Sequence, residues 1–329
     1  MNESAPLWSS TVLLASWVLW LILGLIVGSA MNALIHRLPL MLLAPDPPID
    51  PHAINALNAP HSPPAHSPPP APRLSLWWPR SHCPLCLHPL GLLQLLPVLS
   101  FLRQGGRCHF CKGAIAPRYL WVEILSGVWW CWCAWRFMQP LGSVGLGALS
   151  TSTTSLALSA FSVSTLGAQV AACALWSLWG SLLIALAAID WEHQLLPDAL
   201  TQLLLWAGLI ASGSGLLNIE LHASLWGAVL GYGSFAGIAL LYQALTGREG
   251  LGQGDFKLLG AMGAWLGPWA LIPIVFMASL SGLLLGLWRV RLEGLAQLHN
   301  PMPFGPFLVL GAVVTLVWGP AAWLSLLLH

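Results

Sequence analysis

Residues 11–35 read TVLLASWVLWLILGLIVGSAMNALI and contain no Asp, Glu, Lys or Arg. About 20 residues of α-helix cross the apolar core of a bilayer, so this run is long enough to span a membrane. Glu3 precedes the run, whereas His36 and Arg37 follow it, which reverses the charge order of a cleavable signal peptide. We therefore expect an uncleaved first membrane helix whose N-terminus lies outside the cytoplasm.

The composition of the whole chain also indicates a membrane protein. Of the 329 residues, 57% are hydrophobic and only 7% are charged, and the mean hydropathy is +0.75. A soluble domain carries roughly 25% charged residues, because water must wet its surface. A lipid bilayer is therefore an expected partner of this chain. The net charge of +1 gives no reason to expect nucleic acid as another partner.

Further apolar segments follow the first span at residues 119–137, 167–189, 198–216, 223–245, 256–271, 272–289 and 305–327. They predict an all-α polytopic membrane protein with about eight transmembrane helices. Residues 140–165 are rich in Ser, Thr and Gly and only weakly apolar. This stretch predicts either a loop or a marginal helix.

The loop between the first two spans has two parts. Residues 41–73 are dominated by proline, which breaks helices, so we expect an extended insertion there. Residues 80–118 contain four cysteines in two pairs and predict a small ordered lobe. We therefore divide the chain into a first helix (1–36), a loop with insertion and lobe (37–118) and a transmembrane domain (119–329).

The basic residues predict the orientation in the membrane. Threading from an outside N-terminus places residues 37–118, 190–198, 246–255 and 289–304 in the cytoplasm. These regions and Lys257 together hold eleven of the twelve Lys and Arg residues. Cytoplasmic loops carry such an excess of basic residues. The distribution thus favours a cytoplasmic four-cysteine lobe and periplasmic termini.

Two aspartates stand at the cytoplasmic ends of predicted spans. Asp190 ends the third span, and Asp255 begins the sixth in the sequence Gly252-Gln253-Gly254-Asp255. Ionisable groups at membrane depth are costly and are candidates for function. Two neighbouring carboxylates can share one proton, so that one activates a water molecule while the other polarises a peptide carbonyl. Asp190 and Asp255 are therefore candidate catalytic residues.

Helix capping and ion conduction are alternative roles for these aspartates. Asp255 precedes an apolar helix and could cap its N-terminus, and the same holds for Asp198. Intramembrane aspartates also serve transporters. The spacing of the residues does not choose between these roles.

The four cysteines of the lobe form the motifs Cys83-Pro84-Leu85-Cys86 and Cys108-His109-Phe110-Cys111, with 21 residues between them. This spacing is typical of a structural zinc site with four thiolate ligands. Disulfides are disfavoured in the cytoplasm. Alternative ligands are His82, His88 and His109. The cysteines in apolar spans are expected to be packing residues: Cys131, Cys133 and Cys173.

Together these motifs resemble those of the bacterial type 4 prepilin leader peptidases, a family of aspartic peptidases. The Gly-x-Gly-Asp element alone would also suit presenilin-like proteases, but its combination with the cysteine pairs is specific. The matching stretches cover nearly the whole chain in order: Gly28 to Pro39, Pro79 to Cys86, Gly106 to Cys111, Arg118 to Glu123, Asp190 to Asp198, Glu249 to Leu259 and Pro303 to Phe307.

The resemblance implies an inner-membrane enzyme that removes the short basic leader of prepilins and pseudopilins at the cytoplasmic face, in type IV pilus or type II secretion systems. Its catalytic aspartates would be Asp190 and Asp255. Many members also methylate the new N-terminal residue with S-adenosylmethionine, an activity associated with the cysteine-bearing loop. The proline-rich insertion lengthens that loop. The alternatives are a peptidase without methyltransferase activity and a non-enzymatic proton-coupled transporter or scaffold.

The predicted topology can be tested with reporter fusions. A reporter fused after Arg118 should lie in the cytoplasm, and one fused after Glu220 should lie in the periplasm, because three predicted spans (119–137, 167–189 and 198–216) lie between the two positions. Alkaline phosphatase activity and fluorescence of a cytoplasm-specific reporter measure the two locations. Finding both fusions in one compartment would contradict the threading.

Overall fold

A computed structural model describes residues 7–43, 75–76, 81–83, 85–138, 155–248, 250, 252–293, 302–319 and 323 of the chain. In these residues the regular structure is helical, apart from two isolated bridges that join His82 to Pro89 and Arg107 to Ala114. The α-helices are α1 (Leu7–Leu43), α2 (Leu99–Arg103), α3 (Arg118–Phe137), α4 (Ser155–His193), α5 (Asp198–Gly213), α6 (Leu221–Thr246), α7 (Gln253–Leu266), α8 (Leu271–Glu293) and α9 (Gly305–Trp318). Short 3-10 helices form at Leu92–Gln94 and Pro268–Ala270.

The all-helical prediction is confirmed for the described residues, and each helix other than α2 covers most of one predicted span. The first helix is longer than predicted, because it runs through Pro39 to Leu43. The polar residues at its predicted end do not stop it, since Ile35 and Leu38 are buried against neighbouring helices.

Two other boundaries also differ from the prediction. Residues 155–165 belong to α4, so the helix alternative is right for that part of 140–165, whereas residues 140–154 lie outside the described residues. The predicted span 256–271 is interrupted, because Gly267 has φ +80° and Pro268 begins a 3-10 helix. The proline-rich insertion lies outside the described residues from residue 44 onward.

In the part of the chain that the structure describes, four helices are long and apolar enough to cross a membrane: Ser16–Leu43, Gly167–His193, Leu221–Thr246 and Pro268–Leu292. The outer faces of the helices carry exposed large apolar side chains such as Ile22, Val229 and Leu284. Lipid is the medium that favours such a surface. The fold is therefore that of a multi-pass membrane protein, while the number of eight spans stays a prediction.

Tryptophans fill the interior between α3, α4 and α7, and each indole N–H named here has a partner. Trp129 donates to the Trp176 carbonyl at 2.9 Å, Trp130 donates to the Ser181 hydroxyl at 2.8 Å, and Trp265 donates to the Leu204 carbonyl at 2.7 Å. Buried indoles need such acceptors. These bonds join the helices that hold the candidate site.

Helices α6 and α7 touch each other through backbone rather than side chains. A Cβ added at Gly227 would collide with the carbonyl oxygen of Gly263, and one at Gly231 would lie 2.7 Å from the carbonyl oxygen of Leu259. Small residues at membrane helix interfaces permit this close approach. The contact fixes the position of α7, whose first turn carries Asp255.

The close contact predicts different effects for two glycine substitutions on the same helix. Gly227→Ala should destabilise the protein by about 1–3 kcal/mol, the usual cost of overpacking. Gly237→Ala is the matched control, because nothing lies within 4 Å of a Cβ there and alanine favours helix. The unfolding midpoint in a detergent titration should fall for the first variant only, and equal midpoints would contradict the packing.

Candidate active site and metal centre

Asp190 is held in place by the first residue of another helix. It lies in the last turn of α4 and is 5% exposed. The Gly305 N–H, at the start of α9, donates a hydrogen bond of 2.8 Å to Asp190 Oδ2. A Cβ at residue 305 would lie only 2.7 Å from the same oxygen. Glycine is therefore required where α9 meets the carboxylate.

Asp255 lies beside Asp190 in the first turn of α7. The Asp255 carboxyl group is half-buried, and it is close enough to the Asp190 carboxylate for their charges to repel. The start of α7 is packed tightly, since a Cβ at Gly254 would lie 2.7 Å from Leu196 Cβ. The connection between α4 and α5, which contains Leu196, therefore packs directly against the start of α7. The structure brings the two predicted site aspartates together.

Three helix ends meet at this carboxyl pair. The N-termini of α7 and α9 carry partial positive charge and favour carboxylates, while α4 ends just after Asp190. Among the described residues, no Lys or Arg forms an ion pair with Asp190 or Asp255. A carboxyl pair without a countercation can hold one proton between its members. The arrangement can therefore activate water and polarise a carbonyl without a metal.

Helix capping does not account for the aspartates. Gly252 occupies the cap position of α7 and Pro197 that of α5, and neither helix has a side-chain cap hydrogen bond. Asp198 instead pairs with Lys257, whose Nζ lies 2.6 and 2.7 Å from the two carboxylate oxygens. The capping alternative is wrong for Asp255 and Asp198 alike. The ion pair of Asp198 ties α5 to α7.

The two cysteine motifs fold into the same turn. In each motif the first cysteine N–H donates to the carbonyl five residues later, Cys83 to His88 at 3.0 Å and Cys108 to Gly113 at 2.8 Å. The residue four positions after the first cysteine has φ +57° in both, at Leu87 and Lys112. The lobe therefore contains two copies of the same turn, residues 83–88 and 108–113, and each copy is called a knuckle.

The copies pack against each other in a reciprocal way. Leu85, the second residue after the first cysteine, contacts Gly113 of the other copy. Phe110, in the equivalent position, lies against His88 with ring centroids 3.5 Å apart. A side chain of each knuckle thus packs on the other knuckle, and these contacts bring the two cysteine pairs together.

The cysteine sulfur atoms fit one metal ion. All four Sγ atoms, from Cys83, Cys86, Cys108 and Cys111, lie within 4.8 Å of one another. The Sγ atoms of Cys83 and Cys111 are 3.9 Å apart, close to the about 3.8 Å expected between thiolates around zinc at bond lengths of about 2.3 Å.

Two thiols of the cluster differ in how readily they ionise. The His88 N–H lowers the pKa of the Cys86 thiol, but burial and hydrogen bonds with the other three thiols outweigh this effect and raise that pKa to about 11. The backbone N–H groups of Cys111 and Phe110 lower the pKa of the Cys108 thiol to about 7. The structure does not add the nearby histidines to the cluster, which in the described residues consists of the cysteines alone. Of the other cysteines, Cys133 and Cys173 are fully buried between α3 and α4, as expected for packing residues.

Known proteins match both halves of the chain. The Bacterial Peptidase A24 N-terminal domain matches residues 22–137, and the Type IV leader peptidase family matches residues 177–287. Relatives named prepilin leader peptidase/N-methyltransferase, from Stutzerimonas stutzeri and Pseudomonas aeruginosa, are each 36% identical over 91% of this chain and 89% of their own length. The chain belongs to the type IV leader peptidase family. A relative with the same name from Dickeya chrysanthemi is 38% identical over 92% of both chains. No solved structure matches the chain.

The family assignment divides the site residues between the two matched regions. Both aspartates lie in the leader peptidase match, and the four cysteines lie in the N-terminal domain match. Gly305 was not predicted as part of the site, although it stands between Phe304 and Pro306 at a helix start. Its contact with Asp190 depends on how α9 packs on α4, and sequence spacing carries no sign of that.

If the four cysteines bind one zinc ion, replacing any one of them should lower the amount of bound zinc. Cys86→Ser and Cys111→Ser should each lower the bound zinc measured by mass spectrometry of the metal. They should also make residues 80–118 more sensitive to protease, because the metal supplies folding free energy only when its ligands are complete. Cys131→Ser on α3 is the control and should leave both readouts unchanged. Full zinc occupancy in a Cys83→Ser/Cys108→Ser double variant would contradict the site.

Proposed function

We propose that this protein is a membrane aspartic endopeptidase that removes the leader peptide of type 4 prepilins and pseudopilins and then methylates the new N-terminal residue. The observation that carries the peptidase function is the meeting of Asp190 and Asp255 at three helix ends, within the region that matches the leader peptidase family. The names of the relatives support both activities.

In the proposed cleavage, Asp190 and Asp255 act as one unit. The ionised member removes a proton from water, and the protonated member donates a hydrogen bond to the scissile carbonyl. The Gly305 N–H keeps Asp190 Oδ2 in a fixed direction, so that the carboxyl pair is positioned before the substrate arrives. Positioning of this kind lowers the barrier, because no reorganisation is needed during the reaction.

The methyl donor would be S-adenosylmethionine: the new amino terminus would take its methyl group and lose a proton, and S-adenosylhomocysteine would leave. The lobe that holds the four cysteines would carry a structural zinc ion. That ion would fix the two knuckles and, through them, the connection between α1 and α3. A lobe of this size needs such a staple, because it has little apolar core of its own.

We place the enzyme in the bacterial inner membrane with its active site facing the cytoplasm. The support is the excess of basic residues on the side where Asp190 and Asp255 lie. Pilin leaders are basic, so a cytoplasmic site would meet them before the apolar segment of the substrate crosses the membrane. Type IV pilus or type II secretion systems would supply such substrates.

Two alternatives are less well supported. A proton-coupled transporter would place its carboxylates near the bilayer midplane, whereas Asp190 and Asp255 lie at helix ends. A peptidase without methyltransferase activity conflicts with the relatives' names, although the proline-rich insertion lies in the loop linked to methylation.

The decisive experiment combines a product assay with aspartate variants. The purified protein is incubated in detergent with a prepilin, with and without S-adenosylmethionine, and mass spectrometry identifies the product N-terminus. Asp190→Asn and Asp255→Asn should each reduce cleavage by about 10²–10⁴-fold, as expected for loss of general acid–base catalysis. The double variant should be little worse, because the two residues work as a unit.

Asp198→Asn is the matched control for these variants. Asp198 is exposed and pairs with Lys257, and an exposed ion pair contributes only about 0–1 kcal/mol to stability. This variant should therefore retain substantial cleavage. Rapid prepilin cleavage by a stably folded Asp255→Asn protein would rule out the aspartic mechanism. The transporter or scaffold would then be the better-supported function.

A further inference from the structure

A second buried carboxylate lies between α1 and α3, apart from the aspartate pair. Glu123 on α3 is 9% exposed, and Asn32 on α1 is 4% exposed. Ser29 and Asn32 are within hydrogen-bonding reach of the Glu123 carboxylate. The Val98 N–H also donates to Glu123 Oε2 at 2.8 Å. A buried carboxylate is costly unless hydrogen bonds and a cation compensate it.

The cluster has more acceptors than donors. Among the described residues, no Lys or Arg forms an ion pair with Glu123. The Asn32 side-chain nitrogen donates to the Tyr119 carbonyl at 2.9 Å, which fixes the orientation of the amide. Its Oδ1 atom is buried and has no hydrogen-bond partner. The cluster therefore lacks a cationic group with N–H donors.

The backbone contact of α1 with α3 creates this cluster. A Cβ at Gly28 would lie 2.8 Å from Glu123 Cα, so only glycine lets the two helices come this close. Ser29 and Asn32 follow on the same helix and are thereby brought to the carboxylate. The two sequence stretches that converge here, Gly28 to Asn32 and Arg118 to Glu123, are not used by the aspartate pair or the metal centre.

A short segment of the loop, residues 95–98, covers the cluster and is called the strap here. It is held by the Val98 N–H bond to Glu123 and by the Ser29 hydroxyl, which donates to the Leu95 carbonyl at 3.5 Å. Val98 has φ +60°, an unfavourable conformation for a β-branched residue. Such strain is found at functional sites, and displacement of the strap would open the cluster to the cytoplasmic lobe.

We propose that Glu123, Asn32 and Ser29 bind a primary ammonium group, and that the natural ligand is the free amino terminus created on a pilin by leader removal. An ammonium group offers one positive charge and three N–H donors, which match one carboxylate and two neutral oxygens. A hard metal ion such as calcium takes six to eight oxygen ligands, more than these side chains supply. The inference rests on the proposed function, because that reaction produces the amine.

The test compares two forms of one probe peptide. A short synthetic peptide with the N-terminal sequence of a mature type IV pilin is prepared with a free amine and with an acetylated amine. The full-length wild-type protein in detergent should bind the free-amine form at least about 10-fold more tightly, the factor that one hydrogen bond to a charged group supplies. Glu123→Gln should abolish this preference, while its remaining side-chain oxygen can still accept the Val98 N–H.

Control variants separate the charge at residue 123 from general effects. Glu192→Gln makes the same change at the carboxylate that pairs with Arg118 and should keep the preference. Ser29→Ala removes one acceptor with little change in volume and should reduce the preference by a few fold. The trypsin digestion pattern and the detergent unfolding midpoint of Glu123→Gln should match those of the wild type, which shows that the variant is folded.

Three results would overturn the proposal. The first is an unchanged preference in Glu123→Gln, and the second is equal binding of the two peptides by the wild type. The third is a changed trypsin pattern together with loss of binding in Glu123→Gln, which would make Glu123 structural. Failure of the proposed function is seen separately, as absence of cleavage or methylation by the wild-type protein. The binding preference is measured without either reaction.

Discussion

The hydrogen bond from the Gly305 N–H to Asp190 is the contact on which the site depends. Lipid offers no hydrogen-bond partners, so a carboxylate near a membrane must find them within the protein. This bond fixes the start of α9 against the end of α4. The packing of Gly254 against Leu196 fixes the start of α7 beside them. With those three helix ends in place, Asp255 in the first turn of α7 lies next to Asp190, so the pair depends on how the helix backbones pack.

Close backbone contact recurs wherever this protein needs a precise arrangement. Lipid tails are as apolar as leucine, so burial of apolar side chains does not drive helices together in a membrane. Glycines at 28, 227 and 305 allow contacts that any Cβ would prevent. Internal hydrogen bonds, such as that of Ser224 to the Ala264 carbonyl at 2.6 Å, then hold α6 on α7. Close contact at glycine thus positions the helices, the Asp190–Asp255 pair and the cluster around Glu123.

Hydropathy was sufficient to predict the helices, and residue spacing was sufficient to predict the cysteine cluster, because both depend on local sequence. The carboxylates Asp190 and Asp255 could be selected because charged residues are so scarce in this chain. Gly305, Glu123 and Asn32 could not be assigned roles, since their partners come from distant parts of the chain. The early start of α4 was also ambiguous, because residues 155–165 are only weakly apolar and tertiary context decides their helix.

The interface of α3 with α4 relates the two acidic centres to each other. Ser126 and Ser181 lie 3.3 Å apart in it, and Arg118 at the start of α3 pairs with Glu192 at the end of α4. Along an α-helix the rise is about 1.5 Å per residue. Glu123 therefore lies about 8 Å inward from the level of that ion pair, and Asp190 about 3 Å. Both centres thus lie near the paired ends of α3 and α4 that carry Arg118 and Glu192. The two proposed reactions would therefore take place near the same ends of α3 and α4, which lets them share one orientation of the substrate.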